Sequence, residues 1–127
     1  MDKTALVGFE VEKGSRILQL LDEAGLQVKV ALWAFLGEYE EWRLVLSSSK
    51  FDHGSLRDAY GLLHKALDAA GFPLEQTPTV VILRTSDPFV KTLRKIFGKA
   101  KSVEGMRLGG QTIGNRYLDD AYAYRIS

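Results

Sequence analysis

The sequence contains no cysteine and only two histidines among its 127 residues. Without cysteine, disulfide bonds and thiolate metal sites are excluded. No run of residues approaches the ~20 consecutive apolar side chains of a membrane span. The first twelve residues also lack the basic start and apolar core of a secretory signal. We therefore expect a cytoplasmic protein that has no membrane association, binds no metal and needs no cofactor.

Length and composition predict a single globular domain that covers residues 1–127. Hydrophobic residues make up 46% of the chain and charged residues 26%, which is ordinary for such a domain. The net charge of +1 is unevenly spread, because residues 1–75 hold 8 basic and 12 acidic side chains whereas residues 76–118 hold 8 basic and 2 acidic ones. This asymmetry predicts either an anionic partner for the basic segment or an attraction between the two parts of the chain.

A β-hairpin is the predicted centre of the fold. Gln27–Leu36 and Glu41–Ser47 have the alternating or apolar pattern of strands, and Gly37–Glu40 forms the turn between them. Closing this turn aligns Leu36 with Glu41, Phe35 with Trp42, Ala34 with Arg43 and Trp33 with Leu44. The face that carries both tryptophans is expected to be core. The opposite face of the second strand is expected to be open to water or to a partner.

Three helices are predicted from apolar spacing and from residues that cap helix ends, over Gly14–Ala24, Leu56–Ala70 and Pro88–Phe97. The expected caps are Ser55 and Asp87 at helix starts and Gly25, Gly71 and Gly98 at helix ends. The predicted inner residues are Ile17, Leu18, Leu21 and Ala24 in the first helix, Leu56, Ala59, Tyr60, Leu63, Leu67 and Ala70 in the second, and Phe89, Val90, Leu93, Ile96 and Phe97 in the third.

The remaining segments are predicted as strands. They are Ala5–Val11, Thr79–Leu83, Val103–Leu108, Gln111–Ile113, Tyr117–Leu118 and Asp120–Ile126, with a Gly114–Asn115 turn. The predicted element order is β-α-β-β-α-β-α-β-β-β. This pattern predicts an α+β fold in which three helices pack on a largely antiparallel sheet of five to six strands.

The basic segment is a candidate site for anions or nucleic acid. It carries five cations along and after the third helix, namely Lys91, Arg94, Lys95, Lys99 and Lys101. Such a cluster binds phosphates with an affinity that depends on salt. The alternative interpretation is a solvated helix face that is balanced by the acidic first part of the chain. No aromatic side chains alternate with these cations, which disfavours binding to single-stranded nucleic acid.

No segment has the spacing of a known catalytic site. Gly109, Gly110 and Gly114 lie between β-like segments and lack the lysine and the helix of a phosphate-binding loop, so they are interpreted as turn and bulge glycines. A hydrolase or nuclease would depend on Asp52, His53 and Asp119.

Two stretches carry a resemblance to other proteins. Ala31–Leu32–Trp33 with Glu41–Trp42–Arg43–Leu44–Val45, and the segment Asp119–Ile126, resemble a set of short bacterial proteins that have no assigned activity. The resemblance covers about half of the chain, and the shared residues are mostly core and turn positions. It implies a bacterial origin and no particular chemistry.

These observations favour a non-enzymatic module that binds another protein, for example an accessory or neutralising subunit of a two-protein bacterial system. The residues expected to contact the partner lie at the hairpin tip and on its open side, at Tyr39, Glu41 and Arg43. Exposed strand edges further predict a homodimer. Nucleic-acid binding through the basic helix and loop over residues 88–101 is the alternative function, and hydrolysis is the second alternative.

Overall fold

The computed structural model describes Leu6 and residues 8–127, which form three α-helices and a five-stranded mixed sheet. The helices are α1 (Gly8–Glu23), α2 (Leu56–Ala69) and α3 (Pro88–Phe97). The strands are β1 (Val30–Leu36), β2 (Glu41–Ser47), β3 (Val80–Ile82), β4 (Arg107–Ile113) and β5 (Arg116–Ile126). Short 3-10 helices over Ser49–Phe51 and Leu74–Gln76 flank α2.

The strands lie in the spatial order β3-β2-β1-β5-β4. Three of the neighbouring pairs are antiparallel, as expected, and β2 with β3 is parallel. The parallel pair arises because α2 carries the chain from the end of β2 back to the start of β3, as a parallel connection requires. The sheet is therefore mixed, and the α+β class with three helices is confirmed.

The hairpin has the predicted register. Phe35 lies opposite Trp42 and Trp33 opposite Leu44, and the two rings of the Phe35–Trp42 pair make an edge-to-face contact at 5.7 Å. Every residue of β1 is buried, since β1 is the central strand and both of its faces are covered. The second strand is less open than predicted, because Val45 and Ser47 are buried.

The sheet separates two apolar clusters. One joins Trp33 and its face to the inner residues of α1 and α2. The other joins the opposite face to Phe89, Val90 and Leu93 of α3. Helices therefore cover both faces of the sheet, and this placement explains why β1 is apolar on both sides.

The helix caps at Ser55, Asp87 and Gly71 are those predicted from the sequence. The Ser55 hydroxyl accepts from the Asp58 amide at 3.2 Å and the Asp58 carboxylate accepts from the Ser55 amide at 3.0 Å, which is a reciprocal capping box. Asp87 caps α3 by accepting from the Phe89 amide at 2.9 Å. Gly71 has a φ of +74° and ends α2, as predicted.

Several predicted boundaries were wrong. The predicted strand over Ala5–Val11 is not present among the residues that the structure describes, because Gly8–Val11 forms the first turn of α1. Of the remaining residues in that range, the structure describes Leu6. The segments 111–113 and 117–118 belong to the continuous strands β4 and β5, and β4 begins only at Arg107. Four residues predicted to face inward are exposed, namely Ala24, Leu56, Ala70 and Ile96.

Among the described residues, none of the helices combines the length and the apolar character that crossing a membrane requires.

Candidate functional site

A groove lies along α2, where the chain folds back after the helix ends. Gly71 reverses the chain direction, and Phe72 and Leu74 then return alongside the last turns of α2. The groove has a volume of about 520 Å³. It is lined by His64, Lys65, Leu67, Asp68, Phe72, Leu74 and Thr77.

The lining combines an apolar base with a polar rim. Leu67 is 2% exposed and belongs to the core, and Phe72 packs partly against the same core. Leu74 has an apolar side chain but is 74% exposed. His64, Lys65 and Asp68 are exposed on the helix side. A rigid apolar base with a few polar groups around it is typical of binding sites.

The three residues predicted to contact a partner at the hairpin do lie together. The Arg43 guanidinium stacks over the Tyr39 ring at 3.6 Å from its centroid, and Arg43 Nε donates to Glu41 Oε1 at 2.9 Å. The Tyr39 ring also packs partly against the cluster under α3. The charges and the ring of this surface thus contact one another, and a partner would have to replace these contacts.

The predicted basic residues are also brought together. Lys91, Arg94, Lys95 and Lys99 line one depression of about 420 Å³, and Lys101 lines an adjoining depression of about 300 Å³. Both depressions include Gly98 and Ser127. Arg125, which was not among the predicted basic residues, lines the second depression and pairs with Asp22 at 2.8 Å.

The three residues considered for hydrolysis are not brought together. Asp52 follows the end of β2, where Ser47 lies opposite Val30, whereas Asp119 lies beside Leu118, which is opposite Leu36 at the other end of β1. Val30 and Leu36 are six positions apart along β1, which corresponds to about 20 Å. Asp52 instead has a structural role, because its carboxylate accepts from the amide and the hydroxyl of Thr85.

Asp119 lies within β5, and its neighbour Asp120 pairs with Arg107 at 2.7 Å. Within residue 6 and residues 8–127, no three histidine or acidic side chains are arranged to hold a metal ion. The glycines at 109, 110 and 114 lie in the β4–β5 hairpin, as interpreted from the sequence.

No pattern in the sequence indicated the groove, because one side comes from α2 and the other from a loop without a predicted element. One signal was available. Leu74 is an apolar residue in a stretch otherwise made of proline, acidic and polar residues, and no predicted element buried it.

Comparisons with protein families, with curated proteins and with solved structures returned no match.

Proposed function

We propose that this protein is a non-enzymatic bacterial module of the cytoplasm that binds a partner protein through the α2 groove. The observation that carries the proposal is the exposure of Leu74 beside the base formed by Leu67 and Phe72. A leucine that is three-quarters exposed at the edge of an apolar depression gains free energy when a second chain covers it.

The proposed occupant is a segment of the partner that inserts an apolar side chain into the groove. The base offers no hydrogen-bonding group from Leu67 or Phe72, so it favours an apolar side chain. The rim offers donors at Lys65 and His64 and an acceptor at Asp68, which orient the main chain of the segment. An apolar anchor surrounded by polar contacts is the usual arrangement of the residues that dominate binding energy.

Leu74→Asp tests this proposal, with Leu56→Asp as the matched control. Leu56 is also an exposed leucine, at 47%, but it does not line the groove. A stoichiometric partner recovered from the native host should bind wild type and Leu56→Asp alike. We expect at least tenfold weaker binding to Leu74→Asp in calorimetry. Equal binding to both variants, or a chain recovered without any partner, contradicts the proposal.

Self-association is a second proposal, which rests on β4. This strand has β5 as its one neighbour among the described residues, so the other edge of its main chain is available for pairing. Light scattering at micromolar concentration should give twice the chain mass of 14.2 kDa. A mass near that of one chain contradicts the dimer and leaves the groove proposal intact.

A further inference from the structure

We propose that the basic end of the sheet binds the phosphate backbone of a nucleic-acid duplex, independently of base sequence. This surface, the basic end, consists of Lys91, Arg94, Lys95, Lys99, Lys101 and Arg125. It lies on α3, on the loop after it and at the end of β5, away from the groove on α2. The inference therefore does not depend on the proposed function.

The fold gathers these cations around one point. Arg94 Nε donates to the main-chain oxygen of Ser127 at 2.7 Å, which ties α3 to the end of β5. The Ser127 amide donates to the Lys29 oxygen at 2.9 Å, so Lys29 also lies beside this end. The two depressions meet at Gly98 and Ser127. A ligand that crosses this meeting point would face cations on both sides.

The positive charge of the basic end is poorly compensated. None of the four lysines on α3 and its following loop forms a salt bridge with a described Asp or Glu carboxylate, and Arg94 is bonded to Ser127. Arg125 pairs with Asp22, and Glu104 is the acidic residue that lines the second depression. An excess of positive charge on a surface attracts polyanions and raises their association rate.

Helix electrostatics alone does not explain the arrangement. Cations in the last turn of a helix interact favourably with its negative end, which accounts for Arg94 and Lys95. Lys99, Lys101 and Arg125 lie beyond the end of α3 at Phe97. The helix end therefore does not account for Lys101 and Arg125, since the effect falls off within the terminal turn.

The surroundings of the cations favour a duplex over a single strand. Proteins that bind single strands stack bases on exposed aromatic rings. Tyr124 is the aromatic residue that lines the second depression, and its half-buried hydroxyl is already bonded to Trp33 and Val11. Lys91 and Lys95 lie four residues apart on α3, about 6 Å along the helix axis, and Lys99 follows just after the helix ends. A row of point charges without stacking rings suits contacts to phosphates.

Fluorescence anisotropy with labelled duplex DNA and duplex RNA of random sequence tests the inference on the full chain. About four phosphate contacts predict an affinity that falls roughly 100-fold between 50 and 200 mM salt. The DNA and RNA arms distinguish the two sources of the same backbone chemistry, and binding of either supports the inference.

Charge reversal identifies the surface. The double variant Lys91→Glu with Lys95→Glu should bind at least tenfold more weakly and lower the salt slope by about two. The control, Arg16→Glu with Arg57→Glu, makes the same change in net charge on exposed positions of α1 and α2 outside the groove and should bind like wild type. If circular dichroism shows that the α3 variant does not fold, Lys99→Glu with Lys101→Glu replaces it, because both residues lie outside the helix.

Three outcomes would overturn the inference. The first is binding that does not change with salt, and the second is an equal loss of affinity in the control variant and the α3 variant. The third is an affinity for poly-glutamate or for single strands that equals or exceeds the affinity for both duplexes, because it would assign the basic end to an acidic protein or to a different nucleic acid.

Discussion

The indole N–H of Trp33 donates a hydrogen bond to the hydroxyl of Tyr124 at 2.9 Å, although 91 positions separate the two residues in the chain. The same hydroxyl donates to the main-chain oxygen of Val11 in α1. One hydroxyl therefore joins the central strand β1, the long strand β5 and the first helix. Trp33 is only 1% exposed, so its N–H depends on this acceptor.

We expect Tyr124→Phe to lower the free energy of unfolding by about 1–3 kcal/mol, because the buried indole N–H loses its acceptor and the Val11 oxygen loses one of its donors. Urea unfolding followed by tryptophan fluorescence measures the change. Tyr117→Phe is the control, since Tyr117 is 52% exposed and its hydroxyl has access to water. Equal stability of the two variants would show that the Trp33–Tyr124 bond contributes nothing.

The same hydroxyl makes stability depend on alkaline pH. Burial raises the pKa of Tyr124 above its usual value, and the hydrogen bond from Trp33 offsets part of this rise. An unfolded tyrosine loses its proton near pH 10, so above that pH the folded chain binds this proton more strongly than the unfolded chain does. The contribution of Tyr124 is present below about pH 10 and is lost as the pH rises through the folded pKa.

We therefore expect the free energy of unfolding to fall more steeply above about pH 10 in wild type than in Tyr124→Phe. Urea unfolding of both proteins over a series of alkaline pH values gives the two slopes. The variant removes the contribution of this one group and keeps the titration of all other groups. Equal slopes in wild type and Tyr124→Phe would contradict the assignment of this pH dependence to Tyr124.

A glycine in α1 makes the close contact with Tyr124 possible. A Cβ atom at Gly14 would lie 2.7 Å from Trp33 Nε1 and even closer to the Tyr124 hydroxyl. We expect Gly14→Ala to destabilise the protein by about 1–3 kcal/mol, as overpacking of a core does, even though alanine favours helices. Thermal unfolding measures this effect.

Gly61→Ala is the matched control for that variant. Gly61 lies inside α2, and a Cβ atom there would meet no atom within 4 Å. Helix propensity should then raise stability by up to about 1 kcal/mol. The two glycine variants are thus expected to change the melting temperature in opposite directions, and a stabilising Gly14→Ala would refute the close packing of α1 on Tyr124.

Replacing Asp52 should lower the free energy of unfolding more than replacing its neighbour His53. The Asp52 carboxylate holds the loop after β2 to the loop after β3 through Thr85, whereas Arg84 donates to the main-chain oxygen of Asp52 at 2.7 Å, a bond that a substitution of the side chain keeps. We expect Asp52→Ala to cost about 1–3 kcal/mol because the Thr85 groups lose their acceptor. His53→Ala changes an exposed side chain and should stay within about 0.5 kcal/mol of wild type. If chemical denaturation showed a larger loss of stability in His53→Ala than in Asp52→Ala, the structural role of Asp52 would be contradicted.

The local elements were accessible from sequence because short-range chemistry determines them. Alternation around Gly37–Glu40 was sufficient to predict the register of the β1–β2 hairpin, which pairs Trp33 with Leu44 as expected. Ser55, Asp87 and Gly71 marked helix ends correctly because a cap acts on the amides and carbonyls next to it.

Helical periodicity gave wrong predictions of burial where the covering element could not be known from the sequence. Leu56 and Ile96 have helical spacing but are 47% and 54% exposed, since they lie at the flank of their helices. The alternation near Val11 suggested a strand, but helical packing of α1 against Trp33 and Tyr124 prevails over that weak local preference.

The chain by itself determined the hairpin, the helix caps and the uneven distribution of charge, because each of these depends on residues close in sequence. Tertiary structure alone decided that α3 covers the sheet face opposite α1 and α2, that Arg125 joins the lysines after α3, and that Leu74 returns beside Leu67. These contacts connect residues far apart in the chain. Their free energy depends on which surfaces meet after the strands have paired, and no local pattern encodes that choice.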